Sequence, residues 1–175
     1  AEASGRPSIA FPELLTTRRA EPDIDQLLTS QEHLFEARRH ANATQIATIR
    51  EQIKQAKSQV DIFQGQANAA AEQYRMVNEK LGPKQQLYDK GYATNAAVMQ
   101  LKRAATAFLS QQQEFTGHVG RLQHLVSQLD SQIAQIESDY RLKLAQELED
   151  ARNKLADARE RQRVAADILV RTDIR

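Results

Sequence analysis

Residues 81–95 read LGPKQQLYDKGYATN and interrupt two long heptad patterns. Before this stretch, over residues 46–81, apolar side chains recur in alternating steps of three and four. After it, the same alternation covers residues 101–140, and only Gln112 in that series is polar. This spacing forms the apolar seam of a coiled coil, and about five heptads on each side indicate two long helices. With one reversal between them, the helices are predicted to pack as an antiparallel hairpin.

The residues of the interruption predict a turn. Gly82 and Pro83 lower helix propensity and remove one backbone donor, so the first helix is predicted to break or kink there. Residues 84–90 can form one further short helical stretch, and Gly91 is suited to end it in the left-handed conformation. Thr94 is predicted to cap the return helix with its hydroxyl group.

The first 22 residues contain loop chemistry, because three prolines in this short span forbid a continuous helix. We expect at most a short helical turn over residues 13–18. The apolar residues of this loop are expected to pack on the second arm of the hairpin; they are Ile9, Phe11, Leu14 and Leu15.

The predicted fold is therefore all-α: a long antiparallel coiled-coil α-hairpin with an N-terminal proline-rich loop packed on the second helix. Pro22, Asp23 and Asp25 mark the start of the first arm, which would be roughly 90 Å long at 1.5 Å per residue. The predicted division is a loop and docking segment at 1–22 and a hairpin at 23–175, with a first arm at 23–82, a tip at 83–94, a second arm at 95–170 and the start of an exit strand at 171–175.

The apolar seam of the second arm changes its spacing after Tyr140. From Ile136 through Tyr140 and Leu144 to Leu148 it takes three successive steps of four, which locally relaxes a left-handed supercoil. The seam positions predicted there are Leu144, Leu148, Ala151, Leu155 and Ala158. The irregular start of the first arm and the proline loop are expected opposite them. Since the second arm would extend past the first and ends in a strand-like pattern, we expect the chain to be a fragment of a longer protein.

Composition excludes several classes of protein. The net charge is +1, aromatic residues make up 5% of the chain and there is no cysteine, so the sequence predicts no nucleic-acid binding, no disulfide and no thiolate metal site. No segment approaches the roughly 20 apolar residues of a membrane span. His33, Glu36 and His40 lie on one predicted helix face, but one exposed face cannot enclose a metal ion. Nucleophile and phosphate-loop motifs are absent, and we expect no catalytic residue, no metal and no cofactor.

Four short motifs, spread over nearly the whole chain, resemble the periplasmic adaptor, or membrane fusion, proteins of the hemolysin D type, in the branch that exports proteases and lipases. They are IAFP with Leu14 at residues 9–14, QEHLFEARR at 31–39, LYDKGY at 87–92 with Leu101 and Arg103, and DILVRTDIR at 167–175. The last resembles the exit from the hairpin into a lipoyl-like domain.

The resemblance implies a function in type I secretion. Such an adaptor is periplasmic and, at full length, anchored in the inner membrane of a Gram-negative bacterium. It bridges an inner-membrane ABC transporter and a TolC-like outer-membrane channel for one-step export of proteins that lack a signal peptide. Several copies, six in the expected assembly, form a tube. The transporter would be contacted through parts outside these residues, and the channel through the hairpin tip.

The wider family docks its tip through an arginine, a leucine four residues later and a serine or threonine seven residues after that. Leu87 and Thr94 keep the second spacing, whereas the arginine position falls on Pro83 with Lys84 beside it. A lysine supplies charge without the bidentate fork of arginine. Apolar tip residues can either staple the turn to itself or dock on a partner. The predicted partner-binding residues are Lys84, Leu87, Tyr88, Tyr92, Thr94 and Val98.

Proteins with other functions can show the same heptad seam. A structural coiled-coil hairpin, or the arm of an ATPase with no transport role, would show the same heptads but has no reason to carry the FP loop or the RTDIR exit. A lipid-binding amphipathic helix would need a broader apolar face with a basic rim. An enzyme has the least support in the sequence.

Overall fold

A computed structural model of the chain describes residues 8–172 and contains three helices. α1 covers Glu13–Thr16, α2 covers Pro22–Asp89 and α3 covers Asn95–Thr172. No strand occurs among the described residues, which confirms the all-α class. The exit strand predicted at 171–175 begins at two residues that are still helical, and its remaining three residues lie outside the described part of the chain.

The chain forms two compact units. The turn unit consists of residues 47–132 and holds the ends of α2 and α3 that meet at the turn. The terminal unit consists, among the described residues, of 8–46 and 133–172. The predicted division at residue 22 separates the loop from the hairpin; it is not the basis of these two units and stays a prediction.

In the turn unit, α2 and α3 pack along the predicted heptad seam. Seam residues of both helices are buried or half-buried. Several of the buried ones are alanines, which let the two backbones approach closely. Phe63 of α2 stacks on His118 of α3, with the two ring centroids 4.6 Å apart. The centroid of the Phe63 ring also lies 6.3 Å from that of Phe115. The buried apolar residues of this unit are Ile49, Ile53, Ala56, Ala67, Ala70, Val98, Ala105, Val119 and Leu129.

In the terminal unit the core is smaller. Leu28, Phe35 and Ile46 of α2 are buried, as is Leu144 of α3. An ion pair joins the two helices, with Nη1 of Arg38 2.6 Å from Oε2 of Glu147. The sequence leaves four apolar residues competing for the start of the seam, and the structure buries Leu28 and Phe35 while Leu27 and Leu34 stay exposed.

The proline-rich loop leads into α2 at the predicted residue, but one of its predicted packing contacts is absent. α1 lies within the predicted helical turn, and α2 starts at Pro22 with Asp23 and Asp25 in its first turn. Arg19 forms ion pairs with Asp25 and Glu32 of α2, at 3.0 and 3.4 Å. The expected packing of Leu14 is wrong, since its side chain is 71% exposed. Its neighbours Ile9, Phe11 and Leu15 are half-buried.

The predicted seam of α3 is not buried beyond Leu144. Leu148, Ala151, Leu155 and Ala158 are all exposed, so the expected cover over these positions is wrong. Three steps of four rotate an apolar stripe around a helix, because the helix repeats every 3.6 residues. Among residues 8–172, no segment covers the displaced stripe.

Candidate docking site at the turn

α2 continues through Pro83 and ends at Asp89, so the helix does not break at residues 82–83. The predicted alternative, a kink at Pro83, stays a prediction. A proline inside a helix removes one backbone hydrogen bond and crowds the carbonyl four residues earlier, here that of Glu79. Pro83 and Glu79 are both exposed, so water can satisfy that carbonyl. Gly82 precedes the proline and has no Cβ for the proline ring to meet, which makes helical geometry accessible at that position.

The turn closes through backbone hydrogen bonds around Gly91. The N–H of Gly91 donates to the carbonyl of Tyr88 at 2.9 Å, and the N–H of Tyr92 donates to the carbonyl of Leu87 at 2.8 Å. This pair of bonds is a Schellman motif, which requires a left-handed residue at its centre. Gly91 has a φ of +78°, which confirms the predicted glycine stop.

Thr94 caps α3, as the sequence predicts. The backbone N–H of Ala97 donates to Oγ1 of Thr94 at 3.3 Å and to its carbonyl oxygen at 3.2 Å. α3 begins at the next residue, Asn95. The Thr94 hydroxyl therefore holds the start of the return helix.

The predicted partner-binding residues divide into exposed and buried groups. Tyr92 is 81% exposed, Leu87 44% and Tyr88 38%, so these three form an apolar surface around the Schellman turn. Lys84 is half-buried and Thr94 is exposed. Val98 is only 2% exposed and belongs to the core of the turn unit. The sequence could not separate Val98 from the other apolar residues, because all of them lie near the reversal.

Charge at the turn was missed by the sequence prediction, which considered only the net charge of the whole chain. Residues 80–113 contain five basic residues and one acidic residue, Asp89. The basic residues are Lys80, Lys84, Lys90, Lys102 and Arg103. Asp89 accepts a hydrogen bond from Nε2 of Gln85 at 2.9 Å, while Oε1 of Gln85 is buried without a hydrogen-bond partner. A running count of charge along the sequence would have found this basic segment.

The surface away from the turn carries a groove and a group of histidines. The two helices of the terminal unit flank an open groove of about 230 Å³ beside the Arg38–Glu147 ion pair. His33, Glu36 and His40 are all exposed. Within residues 8–172, no three histidine, aspartate or glutamate side chains are grouped closely enough to hold a metal ion. In the same range, no helix has both the length and the apolar character needed to cross a membrane.

Two long helices that reverse at a single capped turn, with apolar side chains exposed on that turn, define the class of long α-helical hairpins. Within that class, the chain belongs to the AprE long alpha-helical hairpin family, whose model matches residues 1–168.

Two further comparisons agree with this family. The chain is 29% identical over 158 residues to the type I secretion system membrane fusion protein PrsE of Rhizobium meliloti (strain 1021), a match that covers 85% of this chain. It spans about a third (34%) of that relative's length. The crystal structure of the soluble domain of LipC, a membrane fusion protein of a type I secretion system, matches with a TM-score of 0.93 at 21% identity. That match covers 100% of this chain and 82% of the LipC chain.

Proposed function

We propose that this chain is the helical hairpin of a periplasmic adaptor for type I secretion, whose full-length form is anchored in the inner membrane. In this function the adaptor bridges an inner-membrane ABC transporter and a TolC-like outer-membrane channel, and the turn docks on the channel. The observation that carries the proposal is the exposed group of Leu87, Tyr88 and Tyr92 on the turn of an AprE-family hairpin. The transporter is contacted through parts of the protein outside these residues.

The geometry of the turn supports docking over self-stapling. In many Schellman motifs the residue after the glycine packs on the helix it leaves. Here that residue is Tyr92, and its ring is 81% exposed. Because the backbone bonds of Leu87 and Tyr88 already close the turn, the tyrosine side chain is left for a partner.

The proposed contact set follows from exposure. Leu87, Tyr88 and Tyr92 supply apolar contacts, and Lys84 supplies a positive charge beside them. Thr94 keeps its place in the set, although its hydroxyl already accepts the cap hydrogen bond. Val98 is left out because it is buried. Six copies side by side would give a tube through which an unfolded substrate passes between the two membranes.

The alternative function, a structural hairpin or an ATPase arm, is not favoured. It would place no demand on the turn beyond closing it, and a closed turn needs no exposed aromatic rings. Membership of a family whose relative PrsE is a type I secretion membrane fusion protein adds weight to the adaptor function.

Site-specific photocrosslinking in cells tests the proposal. The full-length protein carries a photoreactive residue at Leu87 or, as the control, at Lys57, which is exposed on α2 far from the turn in sequence. A crosslink to an outer-membrane channel from position 87 and none from position 57 is the expected result. Crosslinks to no channel from either position would refute the docking function of the turn.

A further inference from the structure

The basic residues near the turn lie on both helices. Lys80 lies eleven residues before Gly91, and Lys102 lies eleven residues after it. Since α2 and α3 run antiparallel from this turn, equal separations place the two lysines at a similar distance from its end. Arg103 follows Lys102, and Lys84 and Lys90 lie nearer the turn. Residues 80–113 thus carry a net charge of +4, whereas the remainder of the chain sums to −3.

Elsewhere on the hairpin, some basic side chains have acidic partners and others, such as Lys57, Lys143 and Lys154, have none within ion-pair distance among residues 8–172. Arg75 contacts both Glu72 and Glu79, Arg141 contacts Glu137 and Arg163 contacts Glu160. Within the described residues, none of the five basic side chains in 80–113 has a carboxylate within ion-pair distance. Their charge is therefore not neutralised by the chain itself and acts on whatever approaches the turn.

Three classes of anionic partner are conceivable, and the side chains at the turn favour a protein. A lipid surface would require a broad apolar helix face for insertion, whereas the turn exposes three large apolar side chains around a tight backbone closure. A nucleic acid would be bound by a continuous basic stripe along one element. Leu87, Tyr88 and Tyr92 instead form a small apolar group, with five cations within twelve residues of Gly91 along the chain. An apolar group accompanied by charges is typical of a protein interface, which has an apolar core and a polar rim.

We propose that the turn recognises an acidic protein surface, in which carboxylates of the outer-membrane channel surround an apolar pocket for Tyr92 and Leu87. This inference rests on the proposed function and adds the chemistry of the partner. The cations steer the hairpin end toward the channel and raise the rate of association, while the apolar centre holds the docked state.

A matched pair of full-length variants tests the inference. The tip variant carries Lys80→Gln, Lys90→Gln and Lys102→Gln, and the arm variant carries Lys57→Gln, Lys143→Gln and Lys154→Gln. All six lysines are exposed, and both variants lose three positive charges. The photocrosslink from position 87 to the channel is measured first. The affinity of each purified variant for that channel in detergent is then measured between about 50 mM and about 300 mM salt.

The tip variant is expected to lose roughly ten-fold in crosslink yield and low-salt affinity, and the arm variant less than about two-fold. Replacing the channel carboxylates that face the turn by lysines should weaken binding of the wild-type hairpin. The same change should strengthen binding of a hairpin in which Lys80, Lys90 and Lys102 are replaced by glutamate. Equal crosslinks from both variants would overturn the inference and leave the docking function intact. If the wild-type protein gave no crosslink from position 87 to the channel, both the inference and the proposed docking function would be overturned.

Vesicles of phosphatidylglycerol and of phosphatidylcholine provide the lipid comparison. The wild-type protein is expected to bind neither kind more than the tip variant does. Binding to phosphatidylglycerol that the tip variant loses, together with a channel crosslink that it keeps, would assign the cations to the membrane and overturn the inference.

Discussion

At position 91 the backbone adopts a φ of +78°, which side chains with a Cβ rarely occupy. A Cβ placed there would meet no atom within 4 Å, so replacement by alanine costs conformational strain and no steric clash. Gly91→Ala is expected to lower the free energy of unfolding by about 1–2 kcal/mol. Urea unfolding followed by circular dichroism measures it.

Gly65 provides the matched control for this substitution. It lies inside α2, and a Cβ there also meets no atom within 4 Å. Gly65→Ala is expected to stabilise the protein by about 0.5–1 kcal/mol, because alanine is the better helix former. If both substitutions changed stability in the same direction, the left-handed turn would not be the reason for glycine at position 91.

Thr94 has two assigned tasks, a cap in the structure and a contact in the proposed docking site. Thr94→Ala is expected to cost about 1 kcal/mol of stability through loss of the hydrogen bond from Ala97, and Thr94→Ser should restore it. Thermal unfolding gives the stability, and the crosslink from position 87 gives docking. A Thr94→Ala protein of unchanged stability that no longer crosslinks would make Thr94 a contact and not a cap.

At the scale of the helices, the buried seam and the exposed turn residues should respond differently to truncation. Val98→Ala removes buried methyl groups and is expected to cost about 2 kcal/mol of stability. Tyr92→Ala removes a larger but exposed side chain and should change stability by less than about 0.5 kcal/mol while reducing docking. The two variants, compared by urea unfolding and by crosslinking, should show opposite patterns. A destabilised Tyr92→Ala protein would indicate that the ring staples the turn.

A local ion-pair group on α2 predicts a pH dependence. Nε of Arg75 donates to Oε2 of Glu72 at 3.0 Å, and this hydrogen bond, reinforced by charge, holds the pKa of Glu72 below its usual range. A lowered carboxylate pKa adds stability above the unfolded value of about 4.3, and that stability is lost as the pH falls through the folded pKa. Glu72→Gln should therefore show a smaller drop in melting temperature between about pH 5 and about pH 3.

Glu149→Gln serves as the control for this pH dependence. Glu149 is exposed and has no ion pair within the described residues. Its substitution should leave the acid dependence of the melting temperature as in the wild type. Equal changes in the two variants would show that the Arg75 contact does not contribute.

Heptad spacing predicted the helices and the position of their seam because the period of apolar residues is a local property of the sequence. The continuation of α2 through Pro83 could not be predicted from heptad spacing. Whether a proline breaks a helix depends on the exposure of the carbonyl it displaces and on the packing of the next turn, and the sequence gives neither. The predicted burial of the seam after Leu144 was wrong for a related reason, since an apolar stripe is buried only where another segment covers it.

At the scale of the whole molecule, the turn unit holds the complete turn and nine of the thirteen apolar residues that are buried among the described residues. We expect a peptide of residues 47–132 to fold alone as a helical hairpin and to unfold cooperatively by circular dichroism. Residues 22–89, which contain α2 without its partner helix, provide the control and should be far less helical. A non-helical 47–132 peptide would show that the turn unit depends on the rest of the chain.

The position of the candidate docking site could be predicted from the sequence, but the exclusion of Val98 from it could not. The reversal at residues 81–95 and the glycine and threonine that close it are readable, because turn residues act through their own backbone. The separation of Tyr92 from Val98 depends on which side chain faces the partner helix near its last contact. That choice is made by packing.

The self-contained closure around Gly91 has a consequence for how such a hairpin can change its length over generations. Because the turn makes its own hydrogen bonds, an insertion elsewhere does not disturb it. An added heptad in α2 alone would pair every α2 seam residue that precedes it with the wrong neighbour, whereas heptads added at matching places in α2 and α3 restore all pairings. Lengthening and shortening therefore require paired steps of about seven residues in each helix, and the docking surface passes through such changes unaltered.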